Sequence, residues 1–365
     1  MTININMRSI KTTKNILLCV VAFLMASCSQ VHTKVSNDSE RLLALEMLEL
    51  ENQYKEVPPQ SSKLLNAILN EGVAVLGKKA TEPETAEEAI AAAIMVSRVL
   101  AQNNFFQPIK YEDTPYTLGQ ALAPKNLLDE EIDAILAFEA NNIRKQYYDS
   151  TKPIYLVDCD MASLIMFSIF ERLGWDTRLV KAPMHMFLRW HLPNGSTVNW
   201  DWSNWNSFED EDYFLAYGAT AEEQRKQGTY LQSLSKNETR GNFIGLIGSS
   251  LDNKEKSRAL MEKSIKLAPN NPTNLNNLAW LYATDPDFSI EYSEVAIMLA
   301  HRSVAADISY MNRLGTLACA YAADGNWNLA IGIKKGLIER HRSTIHFENY
   351  QKNLKRIEQK KLCEY

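Results

Sequence analysis

Cys159, His185 and Asp201 have the residue types, in chain order, of a thiol nucleophile with two proton-handling partners. A cysteine attacks as its thiolate, so it needs a base nearby and a local positive potential. Cys159 stands at the start of a helix-like run, where exposed backbone N–H groups favour an anion. His185 opens a strand-like piece, and imidazole titrates near neutral pH, so it is suited to take the thiol proton. Asp201 ends the next strand-like piece, where antiparallel pairing would bring its carboxylate to the imidazole and fix the tautomer. Asn199 is a weaker rival for that third place. The chemistry open to such a set is attack on the carbonyl of an amide or acyl group. Its oxyanion would need two donors: the Cys159 backbone N–H is one, and Tyr155 is the side-chain candidate for the other. Asp158 and Asp160 flank the thiol, and adjacent anions oppose its ionisation. They are expected to point away, Asp158 as the helix N-cap and Asp160 in the first turn.

These side chains need rigid elements to hold them. Ile154 to Val157 leads into the cysteine, and Met161 to Leu173 is apolar on nearly every side, the pattern of a helix inside a domain. Gly174 ends it. Three strand-like pieces follow, Thr177 to Lys181, His185 to Leu192 and Ser196 to Asp201, the last two joined by the hairpin signal Pro193-Asn194-Gly195. His191 alternates outward and is expected on the surface. Trp190, Trp200, Trp202 and Trp205 are core residues or the lining of a peptide groove. Upstream, helices are expected from Glu40 to Tyr54, stopped by Pro58-Pro59, from the capping-box pattern Thr85 to Glu88 on to Leu100, and from Asp129 to near Tyr147.

The run Cys159-Asp160-Met161-Ala162, then Arg172 to Val180, Pro183-Met184-His185-Met186-Phe187 and Asn199-Trp200-Asp201 resembles the transglutaminase-like superfamily, over about Thr117 to Trp205. The resemblance implies an α+β, papain-like core with Cys159, His185 and Asp201 as its triad. It further implies cleavage of amides, acyl transfer, or a domain that has lost turnover and kept a binding role.

From about Thr239 the texture changes. Leu278-Ala279-Trp280-Leu281-Tyr282 and Leu317-Ala318-Cys319-Ala320-Tyr321 are one unit repeated 39 residues apart, each followed by a second helix with a small contact residue, Ala296 or Ala330. Leu267 to Asn271 reads as a repeat end. A period of about 34 residues with a short insertion, Asp285 to Tyr292, resembles tetratricopeptide repeats. Three units from Glu238 to His341 would form an all-α array, and a basic helix near Phe347 to Lys361 would cap it. The first unit looks worn, because Gly241, Gly245 and Gly248 stand where larger residues usually pack.

The chain begins with Arg8, Lys11 and Lys14, an apolar run of 11 residues from Ile16 to Ala26, and the tetrad Met25-Ala26-Ser27-Cys28. That is the order of a secretory signal, too short for a bilayer span of about 20 residues. The tetrad resembles a lipobox, which implies cleavage before Cys28 and lipid on that cysteine. Ser29, rather than Asp, implies sorting to the outer membrane, facing the periplasm. The expected organisation is therefore signal peptide 1–27, tether and linker helix 28–58, transglutaminase-like domain 59–235, repeats 236–345 and capping helix 346–365. About half the residues are expected in helices.

Composition narrows the partners. The signal carries three of the 39 Lys and Arg and none of the 44 Asp and Glu, so the exported body is more acidic than the whole chain's formal −5. No basic stripe is present, and nucleic acid is not an expected partner. The expected partners are a protein or peptide on the repeats and a membrane through lipid on Cys28. Beyond Cys19 and Cys28 there remain Cys159, Cys319 and Cys363, an odd count without C-x-x-C spacing. Neither a disulfide framework, a metal site nor a cofactor is expected, and Cys319 reads as a small buried helix-contact residue. The functional alternatives are a tethered cysteine hydrolase or acyltransferase and a non-catalytic envelope scaffold.

Overall fold

The computed structural model of the chain describes residues 42–77, 80–217, 228–307, 310–340 and 347–364. Cys28, the expected signal and most of the expected tether lie outside the described residues. The chain is mostly helical with a small sheet, and its described residues fall in one compact unit. Among them no helix is long and apolar enough to cross a membrane.

The first half is built around one interior helix. Helices α1 (Leu43–Tyr54), α2 (Ser61–Leu76) and α3 (Ala86–Gln102) precede strand β1 (Phe105–Phe106), the short α4 (Leu118–Ala121), α5 (Asp129–Ala137) and strand β2 (Tyr155–Leu156). Then come α6 (Cys159–Leu173), the strands β3 (Thr177–Ala182), β4 (His185–His191) and β5 (Thr197–Trp200), and α7 (Asp210–Tyr217). In α6 every residue from Met161 to Phe170 is buried, as its all-round apolar sequence requires. Each fully buried Leu, Ile, Met or Phe there contributes about 1.5–3 kcal/mol. Helices α1 and α2 pack on α6, and β3 and β4 pack on it as well.

The sheet is antiparallel in the order β3-β4-β5, with Ala182 opposite His185 and Leu188 opposite Trp200. Gly195 takes a φ of +85° in the β4–β5 hairpin, a conformation that glycine adopts without strain. Trp190, Trp200 and Trp202 are buried core residues and do not line a groove, while Trp205 is half-buried. His191 is exposed and bonds Ser233 Oγ at 2.8 Å.

Two upstream expectations change. The helix expected in the linker is core: Leu43, Ala44, Met47 and Leu48 are buried. Its first N–H groups are capped by α6, Leu43 N donating to Glu171 Oε2 at 2.7 Å and Ala44 N to Ser168 Oγ at 2.9 Å. The helix expected to run on to Tyr147 stops at Ala137, because Phe138 is extended. Beyond it, the Asn141 side chain bonds the backbone of Gln107 and Ile135, holding the chain in short turns. The Thr85 capping box forms as expected.

The second half is a paired-helix array: α8 (Lys236–Ser249), α9 (Lys254–Leu267), α10 (Pro272–Thr284), α11 (Pro286–Ala306), α12 (Asn312–Ala323), α13 (Trp327–Arg340) and α14 (Phe347–Glu358). Ala296 and Ala330 are fully buried where helices meet. The glycines of the first pair are not worn positions. A methyl on Gly241 would lie 2.8 Å from Leu267 Cβ, and one on Gly245 would collide with the Asn274 amide, so they set the close approach of α8 to its neighbours. The expected insertion Asp285–Tyr292 is no loop. Pro286 begins α11, capped by Asp285, and the extra residues lengthen that helix to 21 residues.

The cysteine expectation is corrected. Cys319 on α12 and Cys363, after α14, form a disulfide, with Cα atoms 5.7 Å apart. It holds the segment beyond the capping helix to the array, and Cys159 is the free thiol among the described residues.

Candidate functional site

Cys159 is placed from both sides of the chain. Before it, β2 pairs in parallel with β1, Tyr155 N donating to Asn104 O at 3.0 Å and Val157 N to Phe106 O at 2.9 Å. After it, α6 begins, with Asp158 as N-cap accepting from Met161 N at 2.9 Å. The half-buried cysteine therefore occupies the first turn of an interior helix that packs on β3 and β4.

One turn on, Ser163 Oγ donates to Met186 O at 3.2 Å, which fixes α6 against the beginning of β4. The Met186 N–H reaches the Cys159 sulfur, so the thiol meets β4 at the backbone next to His185. His185 and Asp201 are brought together as expected, with Nε2 to Oδ2 at 2.7 Å and both side chains buried. Asp201 also accepts from Asn204 Nδ2 at 2.8 Å, Ser203 N at 2.9 Å and Asn204 N at 3.2 Å. Burial works to raise its pKa, but the hydrogen bond and charge of His185 and the Asn204 donors prevail and hold the carboxyl below its ordinary value. The expected meeting of thiol and imidazole is not made: among the described residues the Cys159 thiol hydrogen-bonds Asp160 Oδ1, and no hydrogen bond joins it to the His185 ring. Asn199 is not the third partner, because it binds Arg189 Nε at 2.7 Å and the Phe208 carbonyl.

Strand alternation divides the neighbours of this site. Met186, Leu188 and Trp190 face the core around α6. The His185 ring lies instead beside Phe187 and Tyr213, with centroids 6.3 and 6.0 Å away. The β3–β4 turn between them carries Met184 at a φ of +55°, 73% exposed, so the backbone is strained where it presents His185. Tyr155 stacks on Phe105 at 5.0 Å between centroids, within the core cluster.

The two flanking acids behave differently. Asp158 caps the helix as expected, but Asp160 does not point away: the Cys159 thiol donates to its Oδ1 at 3.7 Å. Burial, then the charges of Asp160 and Asp158, and less strongly that of Asp201, push the thiol well above its ordinary pKa, against the single pull of the Met186 N–H. The helix start does not outweigh them. At rest Cys159 is a protonated thiol.

Lys181 and Arg144 were missed by sequence reasoning. Burial pulls the Lys181 pKa down and the charge of Arg313 adds to that, against the opposing pull of Asp160 and, less strongly, Cys159. It donates to Asn242 Oδ1 on α8 at 2.8 Å, so a residue of the helical array holds the amine whose charge acts on Asp160 and Cys159. Its signal was available: Lys181 is in phase with Thr177 and Leu179, the residues of β3 that face inward. Arg144 is fully buried, its guanidinium 3.9 Å from the ring centroid of Trp202, and it donates to the carbonyls of Trp202 and Ser203. Burial lowers its pKa to about 9. It props the loop whose N–H groups hold Asp201. Nothing in the sequence marks it, since the loop it props, at Trp202 and Ser203, is nearly 60 residues away.

No protein-family model matches this chain, and no curated protein was found to match it.

Proposed function

We propose that this protein is an exported, lipid-anchored cysteine acyl-transfer enzyme of transglutaminase-like type, acting on amide bonds of a protein or peptide that its tetratricopeptide-like array receives. In this reading Cys159 attacks the carbonyl, His185 moves the proton and Asp201 orients the imidazole. The observation that carries the reading is the buried 2.7 Å His185–Asp201 pair, set beside the strand backbone that meets the Cys159 sulfur. Export is supported by the Cys319–Cys363 disulfide, since such bonds persist in oxidising compartments. Anchoring rests on Cys28 alone.

A second reading, a scaffold without turnover, has an observation of its own. Burial, and after it the Asp160 carboxylate, keep the thiol protonated. Labelling separates the two, because Cys159 is the free thiol among the described residues. Under the enzyme reading, a thiol-directed acyl electrophile labels the unreduced protein at pH 7 faster in wild type than in His185→Ala, and not in Cys159→Ala. Equal rates in wild type and His185→Ala would leave the scaffold.

A further inference from the structure

A thiolate forms against a positive potential, yet the charges set around the Cys159 sulfur on α6 and beyond β5 are those of Asp160, Asp158 and Asp201. Strand register brings a cation to the same place. Lys181 stands opposite Met186 in the β3–β4 ladder. The Met186 N–H reaches the Cys159 sulfur, and its carbonyl accepts from Ser163 Oγ at 3.2 Å. The Lys181 carbonyl accepts instead from Leu231 N at 2.8 Å. Neither residue bonds the other's backbone, so theirs is a non-hydrogen-bonded pair, the kind whose side chains lie closer on one face of the sheet. That face is the one on which Met186 meets the core around α6. His185, one position along β4, is on the other.

The amine is held from the array. Lys181 Nζ donates to Asn242 Oδ1 at 2.8 Å, and Asn271 Nδ2 donates to the same oxygen at 2.8 Å. Asn271 is itself fixed as the N-cap of α10, accepting from Thr273 N at 3.0 Å and Asn274 N at 3.2 Å. Asn242 is 1% exposed, and two donors on one oxygen fix its amide. Its own Nδ2 has no hydrogen-bond partner among the described residues. The amide therefore works as an acceptor, and it gives the amine a neutral oxygen instead of a carboxylate. The charge of Lys181 is left to act on Asp160 and, less strongly, on Cys159, while Arg313 on α12 acts on the amine in the opposite sense.

We propose that Lys181 is the cation of this site, offsetting Asp160 and the Cys159 thiolate, and that Asn242 of the array is the residue that positions it. The inference rests on the reading of Cys159 as a nucleophile. When the sulfur loses its proton to His185, Lys181 gains and loses none; its charge makes the new anion less costly. The first helix of the array is then part of the site.

The test is alkylation of Cys159 in the full chain, disulfide intact, by neutral iodoacetamide and anionic iodoacetate over a range of pH. Lys181→Met should slow both reagents by roughly tenfold or more below the midpoint of the pH–rate curve and move that midpoint up. It should slow iodoacetate the more. Lys181→Arg keeps the charge and should recover part of the iodoacetate-to-iodoacetamide rate ratio. Asn242→Asp keeps an oxygen for both donors, breaks no hydrogen bond and sets a carboxylate against the amine. It should repeat the Lys181→Met result in a chain whose circular dichroism is unchanged. Rates equal to or above wild type with both reagents, in Lys181→Met or in folded Asn242→Asp, would overturn the inference. His185→Ala tells that failure from failure of the nucleophile reading: a wild-type rate there defeats the reading itself, whatever the lysine variants do.

Discussion

Replacing Lys334, a buried residue of α13, by Met should make the protein more stable, by an amount that depends on pH. Burial lowers the amine from its ordinary 10.5 to about 7. Below pH 7 the folded and unfolded chains both carry the charge, and the whole cost of burying it is present. Three to four pKa units correspond to about 5 kcal/mol, taken as an upper figure. Between pH 7 and 10.5 the unfolded chain binds the extra proton and the folded chain does not, so wild-type stability rises with pH by up to about 1.4 kcal/mol per unit. Methionine keeps the unbranched stem that packs between α12 and α14 and removes the amine. The advantage of Lys334→Met should therefore be greatest at pH 6 and shrink to about 2 kcal/mol at pH 9. Urea unfolding of the oxidised protein at pH 6, 7.5 and 9 measures it. A variant no more stable than wild type at pH 6, or an advantage that does not shrink with pH, would refute the claim that this amine is buried without an anion.

Four further outcomes follow from the site and the array. Asp160→Asn removes the carboxylate 3.7 Å from the sulfur and should speed alkylation of Cys159 at pH 7, with the midpoint of the pH–rate curve moving down; an unmoved midpoint would mean burial alone keeps the thiol protonated. Asp201→Asn should flatten the acid side of the stability profile. The depressed carboxyl adds stability above the ordinary carboxylate pKa and loses it as pH falls through the folded value, so wild type and variant converge at low pH. Cys363→Ser opens a loop closed over a separation of 44 residues and should cost up to about 4 kcal/mol, read as a drop in Tm that reduction of wild type reproduces. Asn242→Ala, in the array, should change the pH dependence of Cys159 alkylation, because it frees the Lys181 amine whose charge acts on Asp160 and Cys159; an unchanged profile would separate the array from the site.

Much of the site's framework was legible because its signals are local. The apolar run Met161–Phe170 could only be an interior helix, Thr85 and Asp158 announced helix starts by capping chemistry, and Pro193-Asn194-Gly195 fixed the hairpin. Given that hairpin, the register places Asp201 just past the end of β5, on the same face as His185 and diagonal to it. Each of these follows from the preferences of a residue and its near neighbours along the chain.

What the folded chain decided was whatever depends on partners distant in sequence. Glu171 and Ser168 turned a supposed linker helix into core, the Asn274 amide gave meaning to Gly245, and Cys363 claimed Cys319. The sign of the effect on Cys159 was settled the same way. A helix start favours a thiolate, but burial and a carboxylate turned towards the sulfur oppose it, and only side-chain direction determines which prevails. Lys334 shows the limit most plainly: its letter in the sequence is that of any surface lysine, and its burial against Gly315 and Tyr350 exists only once three helices are packed together.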